Sequence, residues 1–342
     1  MAAYTTIDNP ELYFQVKTYT GNGTAIGSGG QAITLDGDEN MQPDFVWIKE
    51  RNNSTNHQLY DSVRGATKRI YSDGNYVEDT QTEGLTAFGS DGFTVGSDGS
   101  TNGSSDTYVA WCWKESADAG FDIISYTGDG SDRDLSHSLS ASPEFILIKQ
   151  RTGTQDWSTQ STALGLGNYL ILNGTNASAS TSGALVDAVS SSTISVDDNG
   201  YVNASSNTYI GYLWRSVQGY SKFGSFVATG QSGTNGEFIY LGFKARWFMW
   251  KNTSTGHSSF DHWNLVDTKR QPYNGNTADG FMWMDAENAE TGFSGNGLTV
   301  LANGVQISTG GRYHGNSGDT YIYMAFAEAP FVNSKGVPAN AR

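Results

Sequence analysis

Cysteine and basic residues are scarce in this chain. The single cysteine, Cys112, excludes an internal disulfide framework and a metal site built on cysteines. Twenty Lys and Arg residues stand against 35 Asp and Glu residues, and no basic run is longer than two residues. Because nucleic-acid binding needs clustered basic side chains, nucleic acid is not an expected partner. No apolar run approaches the length of about 18 residues that a transmembrane helix needs, so we expect no membrane insertion.

Glycine and aromatic residues are abundant instead. The 342 residues include 42 glycines, and 13% of the chain is aromatic, whereas only 16% is charged. A disordered chain would lack the aromatic residues. Short runs of β-branched and aromatic residues, such as residues 92–96, lie between Ser-Asp-Gly turns and are typical of strands. The composition therefore indicates a globular, β-rich protein.

Three short motifs each occur three times, in the same order. They are FVWIK, FILIK and WFMWK at residues 45–49, 145–149 and 247–251; YVAW, YIGY and YIYM from residues 108, 209 and 321; and YTGNG, YTGDG and the altered ATGQ from residues 19, 126 and 228. The spacing predicts three copies of a unit of about 100 residues, which is longer than a solenoid or propeller repeat. We place the repeats at residues 1–116, 117–220 and 221–331, followed by a C-terminal tail at 332–342.

The FVWIK type of segment has apolar side chains on both faces of an extended strand. Such a strand is expected between two layers, as at the centre of a sandwich. With many turns and little helical pattern, the chain is predicted to be all-β, as three tandem antiparallel β-sandwiches. Cys112, flanked by Trp111 and Trp113, is predicted to be a buried, reduced thiol.

The motifs PDFVWIK (43–49), DSVRGA (61–66), GFTVG (92–96) and YVAWCWK (108–114) resemble a repeated β-sandwich domain of tailed-phage virion proteins, in particular those of phages that infect marine cyanobacteria and pelagic bacteria. The third repeat resembles it through GYSKFGS (219–225) and YIYMAFAEAPF (321–331). The resemblance implies sandwiches of concanavalin-like, SPRY-like or jelly-roll-like type.

The same resemblance implies a place in the virion, after synthesis in the host cytoplasm, with other virion proteins as partners. The function it favours is a fibre-type or spike-type tail appendage with a host-receptor or glycan-binding role. The alternative is a capsid decoration, knob or horn protein with a purely architectural role.

Catalytic chemistry is not expected. Asp61 and Asp267 occupy similar places in repeats 1 and 3, with Gln160 at that place in repeat 2, and a nearby arginine favours an ion pair over an acid of raised pKa. Lysine recurs at the end of each FVWIK-type strand, where an ion pair or a side chain lying over an aromatic ring would serve the fold. The chain is therefore predicted to be no enzyme and to need no cofactor.

Two sets of residues remain as binding candidates. Asp129, Asp132 and Asp134 lie on a glycine-rich segment and make a weak calcium site candidate, with a solvated turn as the alternative. Trp157, His262 and Trp263 have polar neighbours, which is typical of saccharide stacking or of a protein interface; packing on their own domain is the third possibility.

Assembly is predicted from repeat 3. Its strands at residues 247–250 and 321–331 carry more large apolar side chains than a sandwich of about 100 residues usually needs. Burial against other copies of the chain would remove that surface from water, which favours a closed oligomer. Phage appendages commonly use threefold axes, so the resemblance implies a homotrimer.

Overall fold

Antiparallel sheets make up nearly all of the regular structure. The computed structural model describes residues 4–180, 185–230, 236–254, 261–271, 277–294, 298–307 and 316–338. Within these residues the protein is all-β, as the sequence predicts, and each repeat contributes nine strands. No helix in the described ranges has the length and apolar character that crossing a membrane requires.

The strands follow the same order in each repeat. Repeat 1 contains β1 (Phe14–Thr20), β2 (Gln31–Thr34), β3 (Phe45–Glu50), β4 (Gln58–Asp61), β5 (Lys68–Arg69), β6 (Asp79–Thr80), β7 (Leu85–Gly89), β8 (Gly92–Val95) and β9 (Thr107–Trp113), with 3-10 turns at Pro10–Leu12 and Ile26–Ser28 and one short helix, α1 (Gly99–Asn102). Repeat 2 contains β10 (Phe121–Thr127), β11 (Arg133–Ser136), β12 (Phe145–Gln150), β13 (Ser158–Ser161), β14 (Asn168–Ile171), β15 (Ala179–Ser180), β16 (Val186–Val189), β17 (Thr193–Val196) and β18 (Thr208–Trp214). Repeat 3 contains β19 (Ser221–Val227), β20 (Phe238–Tyr240), β21 (Phe243–Asn252), β22 (Asn264–Asp267), β23 (Thr277–Trp283), β24 (Thr291–Ser294), β25 (Leu298–Leu301), β26 (Gly304–Ile307) and β27 (Thr320–Pro330).

Each repeat is a sandwich of an inner and an outer sheet. The inner sheets have the orders β1-β9-β3-β4, β10-β18-β12-β13-β14-β15 and β19-β27-β21-β22-β23-β24. The outer sheets have three strands each, in the orders β2-β8-β7, β11-β17-β16 and β20-β26-β25. A separate buried cluster fills the space between the two sheets of each repeat.

The three inner sheets also share one core on their opposite faces. In β3, Val46 and Ile48 pack within the sandwich of repeat 1, whereas Phe45 and Trp47 point into this second cluster. We call it the central core; its members from the long inner strands are Phe45, Trp47, Trp111, Trp113, Phe145, Leu147, Tyr212, Trp214, Trp247, Met249, Met324 and Phe326. The two apolar faces of an FVWIK-type strand thus face an outer sheet on one side and the other two repeats on the other.

The strand register shows which residues are equivalent between repeats. Tyr19 stacks on Tyr108 at 5.1 Å between ring centroids, and Tyr126 stacks on Tyr209 at 5.2 Å. In repeat 3 the stacked partner of Tyr321 is Phe226, at 4.9 Å. The sequence alignment of ATGQ with YTGNG is therefore wrong by two residues, because Phe226, and not Ala228, is equivalent to Tyr19.

Cys112 lies in the sandwich core of repeat 1 and has no exposed surface, as predicted. Burial raises the pKa of its thiol, so little reactive thiolate forms. We expect a bulky maleimide to leave the native protein unlabelled and to label it fully after denaturation. Rapid labelling of the native protein would contradict this assignment of β9.

The apolar surface that suggested a homotrimer is buried within a single chain. Trp247 and Met249 pack in the central core, and Tyr323 is only 5% exposed in the sandwich core of repeat 3. The three repeats thus bury in one molecule what the sequence assigned to contacts between molecules. The homotrimer stays a prediction, without the observation that motivated it.

Candidate functional site

Trp157 and Trp263 lie inside the central core. Their rings are 0% and 1% exposed, so they offer no face to a ligand at the surface. Each precedes the short strand that follows the FVWIK-type strand, and each reaches across to the preceding repeat. Trp157 donates from Nε1 to the carbonyl of Tyr71 (2.7 Å), and Trp263 donates to the carbonyl of Ile171 (2.9 Å). The polar neighbours in sequence suggested surface rings, but these rings join repeats.

The residue of repeat 1 that is equivalent to Trp157 and Trp263 is His57. Its contact with repeat 3 completes a ring of three contacts between the repeats. Trp47 Nε1 donates to His57 Nδ1 (2.9 Å), so the neutral imidazole carries its proton on Nε2 and donates to the carbonyl of Trp283 (3.0 Å). Burial lowers the pKa of His57 well below its usual value, which keeps the ring neutral. Repeat 2 thus contacts repeat 1, repeat 3 contacts repeat 2, and repeat 1 contacts repeat 3. We call these contacts the first, second and third junctions.

His262 is the sequence candidate that reaches the surface. Its side chain is 20% exposed, its Nδ1 lies 2.8 Å from Asp285 Oδ2, and its ring stacks on Trp283 at 4.3 Å. Trp157 and Trp263 do not join it in one surface site. The structure instead pairs His262 with Trp283, a residue that the sequence did not single out.

The two candidate carboxylates are buried parts of the first and third junctions. Asp61 pairs with Arg64 (2.5 Å) and accepts a hydrogen bond from the Tyr212 hydroxyl of repeat 2 (2.6 Å). Asp267 pairs with Arg270 (2.5 Å) and accepts a bond from Trp111 Nε1 of repeat 1 (3.0 Å). All four charged side chains are 0% exposed. Their contacts join repeats and leave no room for a substrate.

Repeat 2 carries an uncharged version of this set. Phe145 faces Ser161, as Phe45 faces Asp61, so the equivalent of Asp61 is Ser161 and not Gln160. The same register places Leu164 and Met324 where the first junction has Arg64 and Tyr212. The first and third junctions therefore each have the aspartate, the arginine and a hydrogen-bond donor from the next repeat. The second junction has uncharged residues at all three places.

The recurring lysines, Lys49, Lys149 and Lys251, are fully buried. Each Nζ donates to the carbonyl of the next residue, at 2.6, 2.8 and 2.7 Å, and to carbonyls of the following loop or of a neighbouring repeat. Among the described residues their hydrogen-bond partners are thus backbone carbonyls, rather than the ion pair or aromatic ring that the sequence suggested. Burial lowers the pKa of each lysine to about 8.

The contribution of these lysines to the free energy of unfolding is expected to rise at alkaline pH. Below pH 8 they are charged in both states, and the cost of burying charge opposes folding. Between pH 8 and the usual lysine value of 10.5 each of these side chains binds more proton in the unfolded chain than in the folded one, so the contribution of each lysine to the free energy of unfolding increases, by up to about 3 kcal/mol. We expect Lys149→Met to reduce the rise measured by urea unfolding at pH 8 and 10. The exposed Lys114→Met is the matched control, and an unchanged rise in Lys149→Met would contradict the assignment.

The calcium candidates do not come together. Asp129 accepts from Asn203 and lies 3.4 Å from Arg133, and Asp134 accepts from the Ser195 hydroxyl. Asp132 lies instead with Asp197 and Asp198, with one oxygen of each within 4.8 Å of the others. The pairing of β11 with β17 brings these segments together, which the spacing in sequence could not show. With one ligand oxygen each, these three carboxylates would need further oxygen ligands to reach the six to eight that calcium usually takes.

An open cleft at the first junction has features that suit a ligand. Its volume is about 480 Å³, and it is lined by Asn56, Tyr71, Tyr76, Val77 and Asp79 of repeat 1 and by Thr154 of repeat 2. Tyr71 and Tyr76 lie edge to face, with ring centroids 5.3 Å apart. Tyr76 is 52% exposed, so one wall of the cleft is an accessible aromatic ring.

The junction holds this cleft in shape. Glu78 forms a bidentate pair with Arg151 of repeat 2 (2.8 and 2.9 Å), and its backbone N–H donates to the Arg151 carbonyl. The Tyr71 carbonyl receives the Trp157 bond described above. A Cβ at Gly74 would come within 2.3 Å of the Tyr76 ring, so glycine is needed there for this ring position.

Polar groups lie beside the aromatic wall. Asp79 pairs with Arg69 (2.6 Å) and accepts from the Tyr71 hydroxyl (3.2 Å), and the Arg69 guanidinium lies 4.9 Å from the centre of the Tyr71 ring. Asn56 donates to Asp73 at 3.1 Å, and burial raises the pKa of Asp73 to about 6. The arrangement combines an exposed ring with amide, carboxylate and hydroxyl groups.

One family model matches the chain, over residues 9–330, and its description is Domain of unknown function (DUF7483). The chain belongs to this family. No curated protein matches the chain. The DUF7483 match runs from the turn before β1 to the end of β27, so it covers all three repeats and their junctions.

Proposed function

We propose that this DUF7483 chain is a surface protein of a tailed-phage particle that binds a host saccharide in the Tyr71–Tyr76 cleft. The observation that carries the binding role is the exposed Tyr76 ring in a cleft with Asn56, Asp79 and Thr154. An aromatic face packs against the C–H groups of a sugar ring, and the polar groups exchange hydrogen bonds with its hydroxyls. Support for the virion setting is the motif resemblance across the repeats.

The charges favour a neutral saccharide. Among the six residues that line the cleft, Asp79 is the charged one, and Arg69 already offsets its charge. The net charge of −15 repels acidic glycans at long range. A neutral oligosaccharide of two or three units is therefore the ligand that this cleft suits.

The test is a glycan array that holds neutral and acidic oligosaccharides, followed by calorimetry with maltotriose, cellotriose and triacetylchitotriose. Replacing Tyr76 with alanine should weaken binding at this cleft about tenfold or more, which corresponds to ~1.4 kcal/mol. Tyr240→Ala is the matched control, because Tyr240 is similarly exposed, at 49%, on β20 of repeat 3. Binding that Tyr76→Ala leaves unchanged would overturn the assignment to this cleft, and wild-type protein that binds no saccharide would overturn the function.

An edge strand favours the architectural role as a second candidate. Strand β20 lies at the edge of an outer sheet and exposes Phe238 and Tyr240, each 49% exposed. The equivalent strands expose smaller or polar residues, which are Ala32 and Thr34 on β2 and Asp134 and Ser136 on β11. The exposed pair Phe238 and Tyr240 therefore suits attachment to another virion protein. Loss of the Phe238→Asp variant from purified particles, with adsorption of these depleted particles to the host unchanged, would favour decoration over recognition.

A further inference from the structure

The third junction places a second aromatic ring where the first has Tyr71. Inner-sheet pairing makes Tyr71, Ile171 and Trp283 equivalent, since each follows the residue that pairs with Leu59, Thr159 or Leu265. The three junction contacts agree, because the carbonyls of these same residues accept the bonds from Trp157, Trp263 and His57. Two independent observations thus give the same equivalence.

Polar side chains lie next to Trp283, as they do next to Tyr71 in the first cleft. Its ring is partly exposed and stacks on His262 at 4.3 Å and 19° between planes. Asp285 holds the His262 ring through Nδ1 (2.8 Å) and also accepts from the Trp263 backbone N–H (2.9 Å). His262 and Asp285 thus take the places of Asn56 and Asp73, which make the same pair of contacts at the first junction.

The Glu78–Arg151 contact of the first junction also has an equivalent at the third junction. Glu290 pairs with Arg51 of repeat 1 (2.5 Å), and its N–H donates to the Arg51 carbonyl, as Glu78 does with Arg151. At the second junction Ser178 donates to the Thr253 carbonyl instead, and the ring position holds Ile171. The first and third junctions therefore share an aromatic ring and a Glu–Arg pair between repeats, and the second junction has neither at the equivalent positions.

We infer that Trp283 and His262 form a second saccharide site at the third junction, for the same class of neutral oligosaccharide as the first cleft. The inference rests on the proposed function, because the ligand class is carried over from the Tyr76 cleft. One chain would then hold two ligands, and binding to a surface that displays many saccharides would gain from linked sites.

Calorimetric stoichiometry tests the inference, with the tightest binder among maltotriose, cellotriose and triacetylchitotriose as the probe. We expect two sites in the wild type, one in Tyr76→Ala, one in Trp283→Leu and none in the double variant. Because Trp283 also packs on the sandwich core of repeat 3, His262→Ala provides a second variant that leaves this packing in place, and thermal melts check the fold of both.

The possible outcomes separate the two proposals. One site that disappears in Tyr76→Ala and persists in Trp283→Leu and His262→Ala would overturn the second site and leave the first cleft intact. One site that persists in Tyr76→Ala and disappears in both other variants would overturn the first cleft and support the second. No binding by the wild type would overturn both.

Discussion

Replacing Asp61 with serine should lower the free energy of unfolding by about 3–5 kcal/mol, which is the usual cost of removing one partner from a buried ion pair. The change removes the nearer of the two carboxylates of the buried Arg64 guanidinium, leaving Glu78 at 3.3 Å, and it removes the carboxylate that accepts from the Tyr212 hydroxyl. Chemical unfolding of wild type and variant at pH 7 measures the difference.

The chain supplies its own control for this loss. The second junction works with Ser161, Leu164 and Met324, so the triple variant Asp61→Ser, Arg64→Leu, Tyr212→Met transplants a set that already packs in this fold. We expect the triple variant to recover most of the stability that Asp61→Ser loses. A single variant as stable as wild type, or a triple variant no more stable than the single one, would contradict the role of this network.

Separating the repeats should have the largest effect of all. A fragment of residues 1–116 would expose Phe45, Trp47, Trp111 and Trp113, which the whole chain buries in the central core. Burial of four such side chains is worth on the order of 10 kcal/mol, comparable to the entire stability of a typical domain. We therefore expect this fragment to lack a cooperative thermal transition and to bind a hydrophobic dye.

Co-refolding provides the control. Fragments 1–116 and 117–342 refolded together should recover a native transition, because the junction contacts do not require a continuous chain. If fragment 1–116 alone melts cooperatively and binds no dye, the repeats are independent domains, and the central core contributes little.

The fold class could be predicted from the sequence because it depends on local patterns. The apolar faces of residues 45–48 correctly indicated a strand buried on both sides. They could not show that Phe45 and Trp47 face two other repeats, because any apolar layer produces the same alternation. Extra aromatic residues in repeat 3 therefore suggested contacts between molecules, although Trp247 packs within its own chain.

The candidate site was harder to predict, because it depends on contacts between distant segments. Trp157 has polar neighbours in the sequence, yet it lies just before β13 and its ring packs in the central core. Tyr76 carried a usable signal, because it is an aromatic residue beside Gly74 and Asn75 in a turn, but it was not among the sequence candidates. Thr154 joins Tyr76 only because the first junction brings repeat 2 against repeat 1.

A crystal structure with the tightest-binding neutral trisaccharide tests the central claim most directly. The claim is that the ring of three repeats creates a saccharide site where repeat 1 meets repeat 2. We expect a sugar ring against the exposed face of Tyr76, with its hydroxyls within hydrogen-bond distance of Asn56, Asp79 or Thr154. Saccharide density that lies away from Tyr76 would contradict the claim.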